Sequence, residues 1–350
     1  MAMIVSVGTS VPSHLIKQQE AKYLVEQLLG DKYRKYLTVF DHANIDKRYY
    51  VVDKQWFLQD HTFEERNKIF KDNSINLIKE AINDCLQQTL LTYKDIDTII
   101  SVTSTGILTP SLEVHIMNEL PFRDNINRMP LFGLGCAGGG IALSRAYDYL
   151  TAHPTKALLI LAVEIASVAF HKNDLQPKDI VGAALFSDGA SAVLLVGEQH
   201  PYAKEMNKKL IIRNTSSKIY KNSIDVMGWD IKNSGFHVIF AVTIPNLIPT
   251  FWKNHLYEFL NEIDLSLDDI QYILAHPGGK KVIENMEKLL NGQSVEYSKE
   301  VLRNYGNMSS PTAFFVLKKA LEINNFHKRF HLLSALGPGF SSEILLLEWK

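Results

Sequence analysis

The sequence predicts a layered α/β/α/β/α fold built from two related halves, and three observations lead there. The first is a repeat: Leu91-Thr92-Tyr93-Lys94-Asp95-Ile96-Asp97-Thr98-Ile99-Ile100 returns as Leu265-Ser266-Leu267-Asp268-Asp269-Ile270-Gln271-Tyr272-Ile273-Leu274. The second is the order of patterns around each copy, which reads helix, buried strand, helix, glycine-containing turn, long helix, then two strands. The third is that no Pro-, Gly- or Ser-rich linker separates the copies. The halves, residues 1–205 and 206–350, are therefore expected to be pseudo-repeats sharing one continuous core rather than independent domains.

The elements follow in chain order. Ile75 to Leu91 has the apolar spacing of a helix and carries Cys85 within it, and the first repeat copy then runs into a strand. Arg128-Met129-Pro130-Leu131-Phe132 makes a poor buried strand. Gly133-Leu134-Gly135-Cys136-Ala137-Gly138-Gly139-Gly140 is a turn opening the amphipathic run Ile141 to Leu150. Ala157 to Val163 is an unbroken apolar run of strand length that ends at Glu164, and Ala192 to Val196 is a second β-like run. In the second half, Tyr272 to Ala275 ends at His276-Pro277-Gly278-Gly279. Tyr305-Gly306-Asn307-Met308-Ser309-Ser310-Pro311 opens a helix over Thr312 to Leu321, and His331 to Leu336 and Glu343 to Leu347 close the chain as strands.

Chemistry concentrates at the turns. Cys136 is placed at a helix N-terminus, where unpaired N–H groups and the positive end of the helix dipole favour a thiolate; a cationic neighbour lowers such a thiol to roughly 3.5–7.5. An isolated cysteine is more often buried and inert, but the surrounding glycines imply that something approaches the backbone closely. The same letters also fit a dinucleotide fingerprint, Gly133-x-Gly135-x-x-Gly138. Glu164 then falls later than the ribose-binding acid, which comes about 20 residues on, and the preceding strand is poor. The repeat marks His276 and Asn307 as partners for Cys136, because a pseudo-twofold axis brings equivalent strand and helix ends together. Cys, His and Asn supply a nucleophile, its base and a second hydrogen-bond donor.

Composition excludes other classes. With 350 residues, 46% apolar content and a net charge of −1, the chain can bury a large core and has no basic surplus for nucleic acid. Short basic clusters such as Lys32 to Lys35 read as a solvated helix face. The longest apolar run is far too short to span a membrane and the N-terminus has no charged n-region or cleavage signature, so a cytoplasmic location is expected. Two cysteines make neither a disulfide framework nor a zinc set, and no metal site is expected.

Together these stretches resemble the type III polyketide synthases, the chalcone- and stilbene-synthase-like branch of the thiolase superfamily. The motifs that carry the resemblance are Gly135-Cys136-Ala137-Gly138-Gly139-Gly140, Val163-Glu164-Ile165, Ala184-Leu185-Phe186-Ser187-Asp188-Gly189-Ala190, Met227-Gly228-Trp229-Asp230, His276-Pro277-Gly278-Gly279, Tyr305 to Ser310 and Leu336-Gly337-Pro338-Gly339. The Met-Gly-Trp-Asp stretch resembles the bacterial alkylpyrone and alkylresorcinol synthases. A degradative thiolase would want a second catalytic cysteine, and a ketoacyl synthase III-like enzyme is the nearer alternative. A non-catalytic CoA- or dinucleotide-binding protein is the alternative from another class.

The resemblance implies a thiolase-like five-layer fold and a decarboxylative condensation of malonyl-CoA onto an acyl-CoA starter, giving pyrone or phenolic products. Cys136 would carry the acyl group, while His276 and Asn307 would hold the malonyl carbonyl and its enolate. Phe186 and Phe236 map onto the family's gating phenylalanines. Thr105, Ala166, Ala169 and Ser309 map onto its cavity wall, and their small size favours a long fatty acyl starter. Lys47 and Arg48, with Gly278 and Gly279, map onto CoA contacts. No cofactor beyond the CoA thioesters is implied. A homodimer is implied, with the turn near Thr109-Pro110 closing the partner's cavity. The family's Gly-Phe-Gly-Pro-Gly turn stands here as Ala335-Leu336-Gly337-Pro338-Gly339.

Overall fold

The computed structural model describes residues 1–29, 31–206, 210–322 and 329–350. Its strands are β1 (Ala2–Ser10), β2 (His14–Lys17), β3 (Lys47–Tyr50), β4 (Thr98–Thr103), β5 (Asn127–Phe132), β6 (Ala157–Ile165) and β7 (Asp188–Gly197). They continue as β8 (Leu210–Ile219), β9 (Met227–Lys232), β10 (Gly235–Phe240), β11 (Ile270–Ala275), β12 (Phe330–Gly337) and β13 (Ser341–Trp349). The α-helices are α1 (Gln18–Leu28), α2 (Thr38–His42), α3 (Phe63–Leu86), α4 (Leu112–Glu119) and α5 (Gly138–Ala152). After them come α6 (Pro177–Leu185), α7 (Lys253–Glu262), α8 (Lys280–Glu287), α9 (Glu296–Tyr305) and α10 (Thr312–Leu321).

The repeat is visible as geometry. Thr92 and Ser266 each receive a carboxylate on the backbone N–H three residues ahead of it in sequence, Asp95 Oδ2 at 2.7 Å and Asp269 Oδ2 at 2.8 Å, and each 3-10 turn feeds a strand. Those strands, β4 and β11, pair in parallel with β6 and β12, which pair antiparallel with β7 and β13. Short pairing between Ala2–Ile4 of β1 and Leu210–Ile212 of β8 joins the two wings into one sheet, ordered β11-β12-β13-β8-β1-β7-β6-β4-β5. The division at 205/206 falls between the turn Pro201–Lys204 and β8.

Period-2 alternation explains the layers. On β6 all nine residues are buried: Leu158, Ile160 and Ala162 pack on one side with α5 and α10, and Leu159, Leu161 and Val163 on the other with α3. A strand with both faces covered needs no polar residues, hence the unbroken apolar run. On the second wing, Leu333, Leu345 and Leu347 join α5 and α10, while Leu332, Ile344 and Leu346 face α7 and α8. The order is therefore α3, first wing, α5 with α10, second wing, α7 with α8, which is the five-layer arrangement. Each fully buried Leu or Ile contributes about 1.5–3 kcal/mol. The central helices thus draw stability from both wings at once.

β5 shows why its sequence reads as a poor buried strand. It pairs with β4 alone and forms the outer edge of the sheet, with Phe132 53% exposed and Pro130 tolerated because an edge residue can forgo a ladder bond. Several elements have no counterpart in the sequence reading, among them the β9–β10 hairpin and the α1 to β3 segment. These pack beside β7 and α6 and form the outer wall of the site.

Candidate active site

Cys136 sits in the 3-10 turn Gly135–Ala137, immediately before α5. Gly135 has φ +46°, a left-handed conformation that suits glycine, and a Cβ there would come within 2.8 Å of Pro338. At Gly139 a Cβ would lie 2.6 Å from the Ser310 carbonyl oxygen. What approaches these glycines is the chain itself: the α10 turn and the Pro338 turn occupy the space a pyrophosphate would need. This corrects the dinucleotide reading, and Glu164, fully buried, is not available to a ribose.

Asn307 lies in the equivalent turn ahead of α10. Its Oδ1 accepts from Ser309 N at 2.8 Å and its Nδ2 donates to the Gly278 carbonyl at 3.3 Å, with both amide atoms 3.8 Å from Cys136 Sγ. Backbone bonds from Asn307 N to Leu185 O and from Ser187 N to Asn307 O lock the residue beside Phe186. Ser309 completes the turn with φ +57°, a strained conformation for a residue with a side chain.

His276 stands at the end of β11, its N–H bonded to Ser334 O at 2.7 Å. It is 3% exposed, and neither ring nitrogen has a hydrogen-bond partner in the protein. A buried imidazole with both nitrogens unpaired is uncommon, which singles His276 out as a candidate base or donor. Its Nε2 lies 3.9 Å from where a Cβ on Gly278 would be, and Gly278 is also the residue whose carbonyl accepts from Asn307. The structure thus gathers His276, Asn307 and Cys136 about one turn.

The protonation states differ from the sequence expectation of a thiolate. Burial pushes the Cys136 thiol up to about 11, against the pull of hydrogen bonds from Ser309 and Asn307, and burial pushes His276 down to about 3. In this closed site both groups are neutral at pH 7. Desolvation outweighs the helix terminus because, among the described residues, no cation is a leading influence on the sulfur. Cys85 is also raised to about 11, but it lies on the buried face of α3 against Ser6 Oγ of β1 at 3.1 Å.

Glu164, too late in the chain for a ribose-binding acid, has a structural place instead. Its carboxylate ends the buried run of β6 and accepts from Ser104 N (2.9 Å), Ser104 Oγ (2.8 Å), Thr105 Oγ1 (2.8 Å) and Ser310 Oγ (3.1 Å). It ties the end of β4 to the α10 turn. A lone acid closing an otherwise apolar strand was the available signal, since such a charge survives burial only when fully hydrogen-bonded.

The remaining residues divide. Ala166, Ala169 and Phe186 line one cavity of about 70 Å³ with Val25, Phe170 and Trp229. Thr105 is a strut, held between Glu164 and Ile165 N, and Ser309 belongs to the sulfur's surroundings. Phe236 does not line that cavity; it is buried between Phe63 and Trp229. Arg48 is corrected as a CoA contact. It is fully buried and donates to Ala183 O, Phe186 O and Gln18 Oε1, so it braces the α6 end instead of meeting phosphate. Lys47 is partly exposed on β3. Gly278 spends its carbonyl on Asn307, and Gly279 opens α8.

Comparison with known proteins agrees with this arrangement. The profile of chalcone and stilbene synthases, N-terminal domain, matches residues 1–199, and that of the C-terminal domain matches residues 212–349. A putative chalcone synthase of Bacillus subtilis is 37% identical over 100% of this chain and 99% of its own. A 1,3,6,8-tetrahydroxynaphthalene synthase of Streptomyces peucetius is 29% identical over 99% and 93%. The crystal structure of the tetrahydroxynaphthalene synthase of Streptomyces coelicolor, a bacterial type III polyketide synthase, superposes with a TM-score of 0.91 at 25% identity, covering 99% of both chains. With the same five layers and both family domains end to end, the chain belongs to the chalcone and stilbene synthases and is a type III polyketide synthase, an acyltransferase of thiolase-like fold.

Proposed function

We propose that this synthase loads a long-chain fatty acyl group from CoA onto Cys136 and extends it with malonyl-CoA to pyrone or phenolic products. The observation that carries the reading is the buried, unpartnered His276 imidazole together with an Asn307 amide 3.8 Å from Cys136 Sγ. A neutral imidazole has one lone pair and one N–H. Its lone pair takes the thiol proton as Sγ attacks the starter thioester, and that proton then leaves on the departing CoA thiolate. With malonyl-CoA bound, the His276 N–H and Asn307 Nδ2 hold the thioester oxygen. Loss of CO₂ leaves an enolate whose carbon attacks the Cys136 thioester, releasing the Cys136 thiolate and a β-ketoacyl-CoA.

Apolar walls at Ala166, Ala169, Phe170 and Val25 support the acyl part of the reading, and Phe186 with Trp229 stands between that cavity and the α10 turn. Lys47 and the Gly278-Gly279 turn are proposed to meet CoA, with no further cofactor. We place the half-boundary at 205/206 and the protein in the cytoplasm; among the described residues no helix is long and apolar enough to cross a membrane. The exposed apolar edge at Phe132 and Ile107, beside Thr109 and Pro110, supports a homodimer. Mass spectrometry of products formed from malonyl-CoA and acyl-CoAs of graded length tests the whole reading. Products only from short or aromatic starters would refute the long-chain assignment.

A further inference from the structure

Away from the catalytic turns, two histidines lie face to face at the cavity wall. The rings of His171 and His237 have centroids 3.9 Å apart and planes within 5°. His171 lines the cavity from the loop after the 3-10 turn Ala166–Ala169, and His237 belongs to β10, so the stack joins the two segments that close the cavity on that side. His171 Nε2 lies 3.0 Å from the Phe236 carbonyl; a carbonyl only accepts, so Nε2 carries the proton. His237 Nε2 meets Ser234 Oγ at 2.8 Å. Lys178 Nζ donates to the carbonyl of Val238, another cavity residue, at 2.8 Å.

Arg66 of α3 sits beside the stack. It is 4% exposed and donates to Val168 O at 2.6 Å and Phe170 O at 2.8 Å, holding the same loop by its backbone, and among the described residues no carboxylate pairs with it directly. The charged groups facing the pair are Arg66, Lys178 and Lys232 against Asp174 and Asp230, with Asp174 Oδ2 3.5 Å from His237 Nδ1. A proton added to His171 would place a second cation against Arg66 and a third potential one at His237.

We infer that the His171–His237 stack is a proton-sensitive latch between the loop 166–171 and the β9–β10 hairpin, which sets the capacity of the cavity by holding its wall shut while both imidazoles are neutral. The inference rests on the acyl-cavity reading only for the identity of what the latch admits. Burial first, and Arg66 second, push His171 from 6.5 down to about 4. The closed state therefore binds fewer protons than the open one between those values. Its stability is complete above about pH 6.5 and is lost as pH falls toward about 4.

Amide hydrogen exchange of the full chain at pH 7.5 and pH 5.0, corrected for intrinsic rates, reads the opening directly. Peptides covering 166–171 and 227–240 should open roughly tenfold more at pH 5.0, a figure discounted for partial exposure of the rings, while peptides from β6 stay unchanged. His171→Phe and His237→Phe keep a ring at each place without titration, and either should reduce the rise to under twofold. No rise in the native protein, or an undiminished rise in whichever variant folds, overturns the latch. Acyl-CoA length preference, measured alongside, should shift to longer chains at the lower pH. Exchange that rises without that shift would refute the acyl reading of the cavity and leave the latch standing.

Discussion

The turn that opens α5 and the turn that opens α10 occupy equivalent places in the two halves, yet they are built in opposite ways. The first is bare: Gly135, Gly138, Gly139 and Gly140 surround Cys136, and its shape comes from neighbouring segments pressing against positions with no side chain, the ring of Pro338 at Gly135 and the carbonyl of Ser310 at Gly139 among them. The second is dressed with polar side chains, Asn307, Ser309, Ser310 and Thr312, each engaged in a hydrogen bond or beside the sulfur. A nucleophile needs access and close approach, so the sequence around it is emptied. A donor needs a fixed direction, and Asn307 acquires one because Ser309 N holds its Oδ1 while the Gly278 carbonyl accepts from its Nδ2.

That contrast is broken most completely at Cys136. Cys136→Ala should lower polyketide formation by at least about 10³-fold, with the protein still folded. Iodoacetamide should label Cys136 and leave Cys85 untouched by peptide mapping, because Cys85 is sealed between α3 and β1. Equal labelling would remove the distinction between a site cysteine and a core cysteine.

Next in size is the dressed turn. Asn307→Ala should reduce malonyl-CoA decarboxylation by about 10²–10³-fold, the cost of one lost oxyanion donor, while radiolabelled acyl loading onto Cys136 persists. His276→Gln should impair both steps, since its ring is both the base and a donor. Unchanged decarboxylation in the Asn307 variant would mean that the amide only shapes the turn.

The bare turn answers to packing. Gly139→Ala puts a methyl where the Ser310 carbonyl stands, and a fall in unfolding free energy of about 1–3 kcal/mol is expected by denaturant titration. Arg48→Met sharpens the comparison from outside the site. It should lower thermal stability but leave the KM for CoA thioesters within about twofold, because the guanidinium meets backbone carbonyls and no phosphate. The smallest effect is one of selectivity. Ala169→Phe fills the cavity wall and should shorten the accepted acyl chain with little change in stability, read as product length by mass spectrometry.

Much of the frame was legible because burial on both faces leaves a strong signature. The apolar run of β6, the repeat of residues 91–100 at 265–274, and the glycines before α5 are local patterns with local causes, and they led to the five layers and to Cys136, His276 and Asn307. The edge strand β5 and the hairpin β9–β10 were harder to read, since a half-exposed strand alternates weakly and a hairpin's role depends on what it covers.

The sequence by itself determined the two-half architecture, the family and the residues gathered at the equivalent turns, since periodicity, capping and motif spacing all act over short stretches of chain. Only the tertiary structure decided what those residues experience. It buried Arg48 among carbonyls 135 and 138 positions away, gave Glu164 four donors from two segments, and set His171 against His237. It also made Cys136 and His276 neutral, because the penalty for desolvating a charge depends on everything packed around it and on no single stretch of sequence.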